Sequence, residues 1–586
     1  MKNGGLRFFW VAVLVLAIAV FACGQSKKLT ILHTNDTHSA MVPFETGTIP
    51  APGTGTDAKR LIGGGIWDIW RFPYQPDYAG IARMATLIKR LRAVDDNVLA
   101  LNAGDVFVGS FEFNKYFGYP ELKIMENLYD AMELGNHEFD LGIDTLAGVL
   151  SGQAAGAAPV NLPILCANVD FTGTAFGAGG PLAGRVQPTM IKDVDGVKVG
   201  IFGLVTQEPQ NYSDDVNARF KYPYEDANPL NTLWAYAGTL AGGLKQQGCD
   251  IVICLSHLGT TLDEIGLADN VPCVDVIVGG HSHDIYAQPI VRNGKIIVQA
   301  GSFGLYLGEL KLNIDANGVS VDSWKLIPVD GRVKEDPQVR AAVNKVRAGV
   351  VADPRFGPVY SQIVAVALRD IPKSWPANGP NRDTPLGNLI TDAFVKRLTK
   401  AGMPVDCALD VLGYEGADIF AGKVVGNNIM RAVPYGYDVD NGLDFKVVLV
   451  PLTPDLIIGG LEYAVDQVPL TSDLAVQASG LTFNYDSSKD VGQMVDQSSI
   501  AVGGAPLGTK PFYYVAMSDQ VFKFLNALTG NQLTPLVTAT GLNEYTIVRD
   551  YMKSMRFVSY KSEGRVKDLA SATSVKTRSW IHREPR

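Results

Sequence analysis

"LTILHTNDTHSAMV" (residues 29–42) starts as an apolar run and ends on polar side chains, with a carboxylate at Asp36 and an imidazole at His38. In an extended strand, residues i and i+2 face the same way. The pair is therefore expected to aim two metal-ligand groups at one point, where a buried strand stops. Taken alone, a polar loop with an incidental histidine is the better explanation, so the rest of the chain has to decide.

The same pattern recurs along the chain. "NVLALNAGD" (97–105), "YDAMELGNHEFD" (129–140), "VKVGIFGLV" (197–205), "CDIVICLSHLG" (249–259) and "CVDVIVGGHSH" (273–283) each read as a buried strand running into polar residues. Helical patterns at 81–94 and 231–248 lie between them. Strands buried on both faces with helices between them imply a layered α/β domain. A helical connector is expected at 335–351. The second domain opens on the helix "TPLGNLITDAFVKRL" (384–398), and the polar tail beyond about 565 is expected to be peripheral.

With 586 residues the chain is too long for one core, and two or three domains are expected. A net charge of −9 without a basic block excludes a binder of nucleic-acid polymers. Lys2 and Arg7 precede the apolar run "FFWVAVLVLAIAVFA", which is shorter than the roughly 20 residues of a spanning helix. It ends at Ala22-Cys23, a pattern resembling a bacterial lipoprotein signal with Cys23 acylated. Ordinary signal cleavage nearby is the alternative, and both predict export, to the periplasm or to a lipid-anchored position at the cell envelope. The five remaining cysteines are odd in number and lack a CxxC, so they are read as buried thiols rather than a disulfide framework.

Of seven histidines, His38, His137, His257, His281 and His283 all follow strand-like runs. In α/β sheets, ligands bind beyond the carboxyl ends of the strands. These five, with Asp36, Asp105 and Asn136, are expected to converge on that edge. Hard oxygen and imidazole without thiolate suit Mn, Fe, Zn, Co or Mg and argue against a structural zinc. Eight groups exceed one ion's needs. Two ions about 3.5–4 Å apart, sharing a carboxylate, would use them all.

In this order, "ILHTNDTHS", "NAGDVFVGS", "LGNHEFDLG", "LSHLG" and "GGHSH" resemble the calcineurin-like metallophosphoesterases, and more closely the exported 5′-nucleotidase / UDP-sugar hydrolase family. "YAGIARMATLIKRLR" and "DTPLGNLITDAF" extend the resemblance over almost the whole mature chain. It implies a four-layer α/β/β/α sandwich at 28–332, a helical linker at 333–357 and an α/β substrate-binding domain at 358–565. A signal at 1–23 and a tail at 566–586 would flank them. It further implies that Asp36, His38 and His283 hold one metal, that Asn136, His257 and His281 hold the other, and that Asp105 bridges them. His137 would stabilise charge on the phosphoryl oxygens, oriented by Asp140. His33 is read as structural, because strand parity turns it away from Asp36, and Glu138 as a helix-start acid.

The second domain departs from the family. "VLGYEG" (411–416) stands where an Asn and an Arg contact substrate, and "DQVFKFLNALTG" (519–530) where an Asp reaches the ribose hydroxyls. Tyr435, in Pro434-Tyr435-Gly436, is expected to stack on a base. Arg382 is the remaining candidate for a phosphate contact. Residues 44–79 form a long Gly/Pro-rich insertion, whose Trp67, Trp70 and Tyr74 could wall the site mouth. The expected activity is metal-assisted hydrolysis of a small phosphoester, a nucleotide, by a monomer. The alternatives are a phosphatase or phosphodiesterase for another organic phosphate, a cyclic nucleotide or a UDP-sugar, and a surface lipoprotein with a dead site.

Overall fold

The computed structural model describes residues 26–44, 78–207, 219–220, 229–259, 264–468 and 472–570. Cys23 and the expected signal, most of the 44–79 insertion with its Trp67, Trp70 and Tyr74, and most of the tail lie outside them.

The strand Lys27–Thr34 lies inside a seven-stranded sheet, third from one edge. Val98–Asn102, Ala131–Glu133, Ile164–Leu165 and Val186–Gln187 follow in parallel on one side. Tyr306–Asp315 and Gly318–Pro328 complete the other side antiparallel. A second, six-stranded sheet has Val197–Val205, Ile251–His257, Val276–Gly279 and Lys295–Val298 in parallel at its centre.

The apolar runs bury both faces of these strands. Leu29, Ile31, Leu99 and Leu101 meet Ile201, Ile253, Val276 and Val278 between the sheets. Leu32 faces outward onto the helix Ile81–Arg92, through Ala85 and Ile88. On the opposite outer face the helix Pro229–Gln246 packs through Leu233, Trp234, Ala237 and Ala241. The result is α/β/β/α in four layers. At about 1.5–3 kcal/mol for each large apolar side chain buried, the double-sided strands make this sandwich a rigid base for the loops at their ends.

The connector is the helix Pro337–Ala352. Asp336 caps it, accepting from the N–H groups of Gln338 and Val339 at 3.1 and 3.0 Å. Val339, Val343, Val346 and Val350 form its buried stripe. The second domain carries a five-stranded sheet ordered Val476–Ser479, Cys407–Val411, Tyr513–Ser518, Lys446–Leu452 and Thr538–Asn543. The helix Pro385–Lys400 packs on it.

Two expectations change here. The chain does not leave the domain at 565: Val566–Asp568 pairs in parallel with Phe483–Tyr485, because Val566 and Asp568 are buried on an edge strand. Of the described cysteines, Cys166, Cys249, Cys254 and Cys407 are buried, but Cys273 is exposed, in the turn before the strand Val276–Gly279.

Candidate metal centre

The loops beyond the parallel strands lie side by side. Asp36 N donates to Gly104 O at 2.9 Å, His38 N to Asp105 O at 3.0 Å and Ser39 N to Val106 O at 2.9 Å. Asn35 braces the turn, its amide donating to Asp36 Oδ2 at 2.6 Å and its carbonyl accepting from Ala300 N at 3.0 Å. Strand parity is not what aims the Asp36–His38 pair, since the strand has ended at Thr34. Asp36, His38, Asp105, His281 and His283 all have left-handed backbones, with φ of 48°, 45°, 54°, 71° and 57°. Each backbone reversal turns a side chain back toward a common centre.

Asp36, His38 and His283 form one group, with His38 Nε2 at 3.0 Å from His283 Nε2 and His283 Nε2 at 3.4 Å from Asp36 Oδ1. Asp105, His257 and His281 form another. His257 Nε2 lies 3.0 Å from Asp105 Oδ2, and Asn136 Oδ1 lies 3.1 Å from His257 Nε2 and 3.0 Å from His281 Nδ1. Asp105 also joins His38 and His137 in a third group. Its carboxylate therefore stands between the first two.

These spacings fit divalent cations. Ligands about 2.0–2.2 Å from an ion lie roughly 3 Å from one another. The ring nitrogens are also prepared. His257 donates from Nδ1 to Ala103 O at 2.6 Å, which fixes the ring with its Nε2 toward Asp105 and Asn136. Burial, with His283 beside it, pushes His38 down to about 3, so its imidazole is neutral and able to ligate. Burial opposes the charge of Asp105, but His257 and His137 outweigh it and hold this carboxyl well below the usual range.

His137 lies at the rim. Its Nδ1 pairs with Asp140 Oδ2 at 2.7 Å, and its Nε2 stands 4.0 Å from Asp105 Oδ2. Burial works against its protonation, yet Asp140 and then Asp105 overcome this and raise it to about 10. Tyr435 reaches across from the second domain. Its ring stacks on His137 with centroids 5.0 Å apart and planes 18° apart, and meets His38 edge-on at 6.3 Å. Tyr435 is itself buried, so one face of the expected base platform is already covered.

Arg382 is placed elsewhere. It pairs with Asp568 at 3.6 Å, lies over the Trp375 ring and donates to the carbonyls of Gly379 and Asn381, all within the second domain. No contact among the described residues ties it to the histidine cluster. His33 faces the inter-sheet core and stacks on Trp324 at 5.5 Å, and burial lowers it to about 3.

Glu138 does more than begin a helical turn. Its Oε2 accepts from Gly135 N at 2.6 Å and Asp105 N at 3.0 Å, and its Oε1 from Val106 N at 2.8 Å and Phe107 N at 3.0 Å. It clamps the loop that carries Asp105 to the one that carries Asn136. Gly135 permits the approach, since a Cβ there would sit 2.1 Å from Asp105 Oδ1. Sequence spacing carried no sign of this, because three of the four donors lie 31 to 33 residues away.

Residues 29–284 match the family model for the calcineurin-like phosphoesterase domain, and residues 367–524 that for the 5′-nucleotidase C-terminal domain. The chain belongs to the 5′-nucleotidase family of calcineurin-like metallophosphoesterases. The 5′-nucleotidase of Bos taurus is 27% identical over 98% of this chain and 96% of its own length. A trifunctional nucleotide phosphoesterase of Bacillus subtilis is 27% identical over 88% of this chain, which spans only 36% of that longer protein. The crystal structure of a 5′-nucleotidase precursor from Thermus thermophilus is similar at a TM-score of 0.74 and 28% identity, over 93% of this chain and 99% of that one. Members of the family are metal-dependent hydrolases, and this chain is a 5′-nucleotidase-like metallophosphoesterase.

Proposed function

We propose that the protein is an exported monomer that hydrolyses the phosphoester of nucleotides at a dimetal centre. The observation that carries this reading is the position of Asp105, whose carboxylate joins the group around His257 and His281 and also lies beside His38. In this reading Asp36, His38 and His283 hold one ion, Asn136, His257 and His281 the other, and Asp105 both. Two divalent cations supply charge neutralisation at the phosphate and make water acidic enough to act as nucleophile near neutral pH.

The chain's own residues do the rest. His137, kept protonated by Asp140, offers its Nε2 proton to a phosphoryl or leaving oxygen. Asp140 fixes the tautomer and the ring plane. Burial of Asp36, His38 and His257 excludes bulk water and strengthens each electrostatic contact. Tyr435, stacked on His137, walls the site and in this reading meets the flat group of the substrate. Export is supported by the N-terminal sequence and by the precursor form of the Thermus relative.

Phosphoryl chemistry belongs to the first domain and discrimination to the second, which lacks the Asn, the Arg and the ribose-binding Asp. Broad specificity follows, with weak preference among bases and little penalty for a 2′-deoxy sugar. The position of Arg382, paired with Asp568, favours a second reading, in which another organic phosphate is the main substrate. A hydrolysis screen with Mn, Co, Zn and Mg across AMP, deoxy-AMP, UDP-sugars, cyclic nucleotides and an aryl phosphate separates the two. Turnover of AMP and deoxy-AMP at similar rates is expected. Good aryl phosphate turnover with no nucleotide hydrolysis selects the second reading, and no turnover of any ester with any metal refutes both.

A further inference from the structure

Arg431 is among the most deeply buried large side chains of the protein, 2% exposed, on the helix Gly426–Ala432 of the second domain. A buried guanidinium persists only when it is partnered. Two of its partners belong to the first domain. Its Nη2 donates to Val42 O, and its plane lies over the Phe44 ring, 4.1 Å from the centroid. The Phe44 ring in turn meets Phe303 at 6.1 Å, and Phe303 lies 5.5 Å from the His38 ring and 5.8 Å from the His283 ring. A continuous row of rings thus runs from the arginine to two of the imidazoles proposed to hold one ion.

The same segment touches the centre a second time. Four residues after Arg431, Tyr435 stacks on His137. Between the two anchors the backbone is fixed from behind, with Gly416 N donating to Ala432 O at 3.0 Å and Ala417 N to Arg431 O at 2.6 Å. Gly416 ends the 411–416 stretch, which lacks the family's substrate-binding Asn and Arg, and Ala417 follows it directly.

We propose that Arg431 is an interdomain positioning residue: by anchoring its helix to the 42–44 segment, it fixes Tyr435 against His137 and sets how the second domain presents a nucleotide to the metal centre. It makes no contact with the reacting phosphate. The proposal rests on the reading of Tyr435 as a substrate contact. A guanidinium that both donates to a carbonyl and covers a ring resists sliding and tilting together, which a lysine or an apolar side chain cannot do.

The test compares Arg431→Met and Phe44→Leu with the wild type on AMP and on p-nitrophenyl phosphate. Spin labels at Val94→Cys and Leu528→Cys, exposed positions in different domains, report interdomain distance in a Cys273→Ser background. Losing a correctly placed stacking aromatic corresponds to roughly tenfold in affinity for a base. KM for AMP is expected to rise by about that factor, kcat/KM for the aryl phosphate to change less than about twofold, and the label distance to broaden. A parallel fall on both substrates overturns the proposal, as does a folded Arg431→Met protein with unchanged KM and a narrow distance distribution. If Arg431→Met does not fold, Phe44→Leu decides by the same readouts. If the wild type hydrolyses the aryl phosphate but not AMP, the nucleotide reading fails, and the label distance alone decides for or against the anchor.

Discussion

Replacing Glu138 by Gln tests how the Asp105 loop is held. Four backbone N–H groups converge on this one buried carboxylate. In Glu138→Gln one oxygen can keep Val106 and Phe107, but the NH2 that replaces the other meets the N–H groups of Asp105 and Gly135 donor to donor. Two charge-assisted hydrogen bonds are lost, at about 1.5–3 kcal/mol each, so the expected destabilisation is about 3–6 kcal/mol. Glu138→Ala strands all four donors, about 6–12 kcal/mol, comparable to the whole stability of a domain. It should fail to fold, which makes Gln the informative change. Burial and the neighbouring Asp105 charge push Glu138 up to about 7, so the comparison belongs at about pH 8, where the wild-type carboxyl is ionised. Urea denaturation of metal-free protein gives the stability. Competitive metal titration gives the second readout, because loss of a group that holds a ligand in place typically lowers metal affinity about 10–100-fold. A Gln variant within about 0.5 kcal/mol of wild type, with unchanged metal affinity, would refute the clamp.

Asp105→Ala should lose both ions and all turnover, whereas Asp36→Ala should mainly empty one position; elemental analysis showing two ions retained by the Asp105 variant would contradict the shared-ligand assignment. His137→Ala should keep normal metal content and lose about 10²–10⁴-fold in kcat, with a smaller loss in Asp140→Asn; a stripped metal in the His137 variant would mean the imidazole is a ligand. Burial lifts Glu121, which accepts from Thr37 in a cavity behind the 36–39 loop, from 4.5 to about 8. The fold favours its protonated form, so this contribution is fully present below pH 4.5 and is lost as pH rises through about 8. Metal-free Glu121→Gln should therefore gain on the wild type across that window; a difference independent of pH would count against the shift. If Cys23 is acylated, wild-type protein should take up a fatty-acid probe and partition into detergent while Cys23→Ala does neither, and a soluble, unlabelled wild type would favour simple secretion.

The strands were legible because both their faces are buried, which writes continuous apolar runs into the sequence, as at 197–205 and 249–257. The residues of the centre were legible because imidazoles and carboxylates are rare and cluster at the ends of those runs. Their geometry was not. Asp36 and His38 come together through reversed backbones beyond the strand, a conformation that no alternation pattern encodes. Glu138 and Arg431 were invisible for a related reason, since each acts on backbone atoms or rings brought near only by the tertiary fold. Arg382 shows the converse: it stood as the remaining candidate for a phosphate contact, but Asp568, far away in sequence, takes the guanidinium.

The five reversed backbones at Asp36, His38, Asp105, His281 and His283 restrict what evolution can try at this centre. Outside glycine, positive φ is tolerated best by Asn, Asp and His, side chains that also donate to metals. A mutation must then pass two filters at once, one chemical and one conformational. Glu or Gln, adequate donors by chemistry, enter with a longer arm on a backbone that disfavours them, whereas exchanges among Asp, Asn and His meet both demands. The loops thus shrink the usable alphabet at each position to about three letters, and any drift in metal preference is channelled along exchanges within that set.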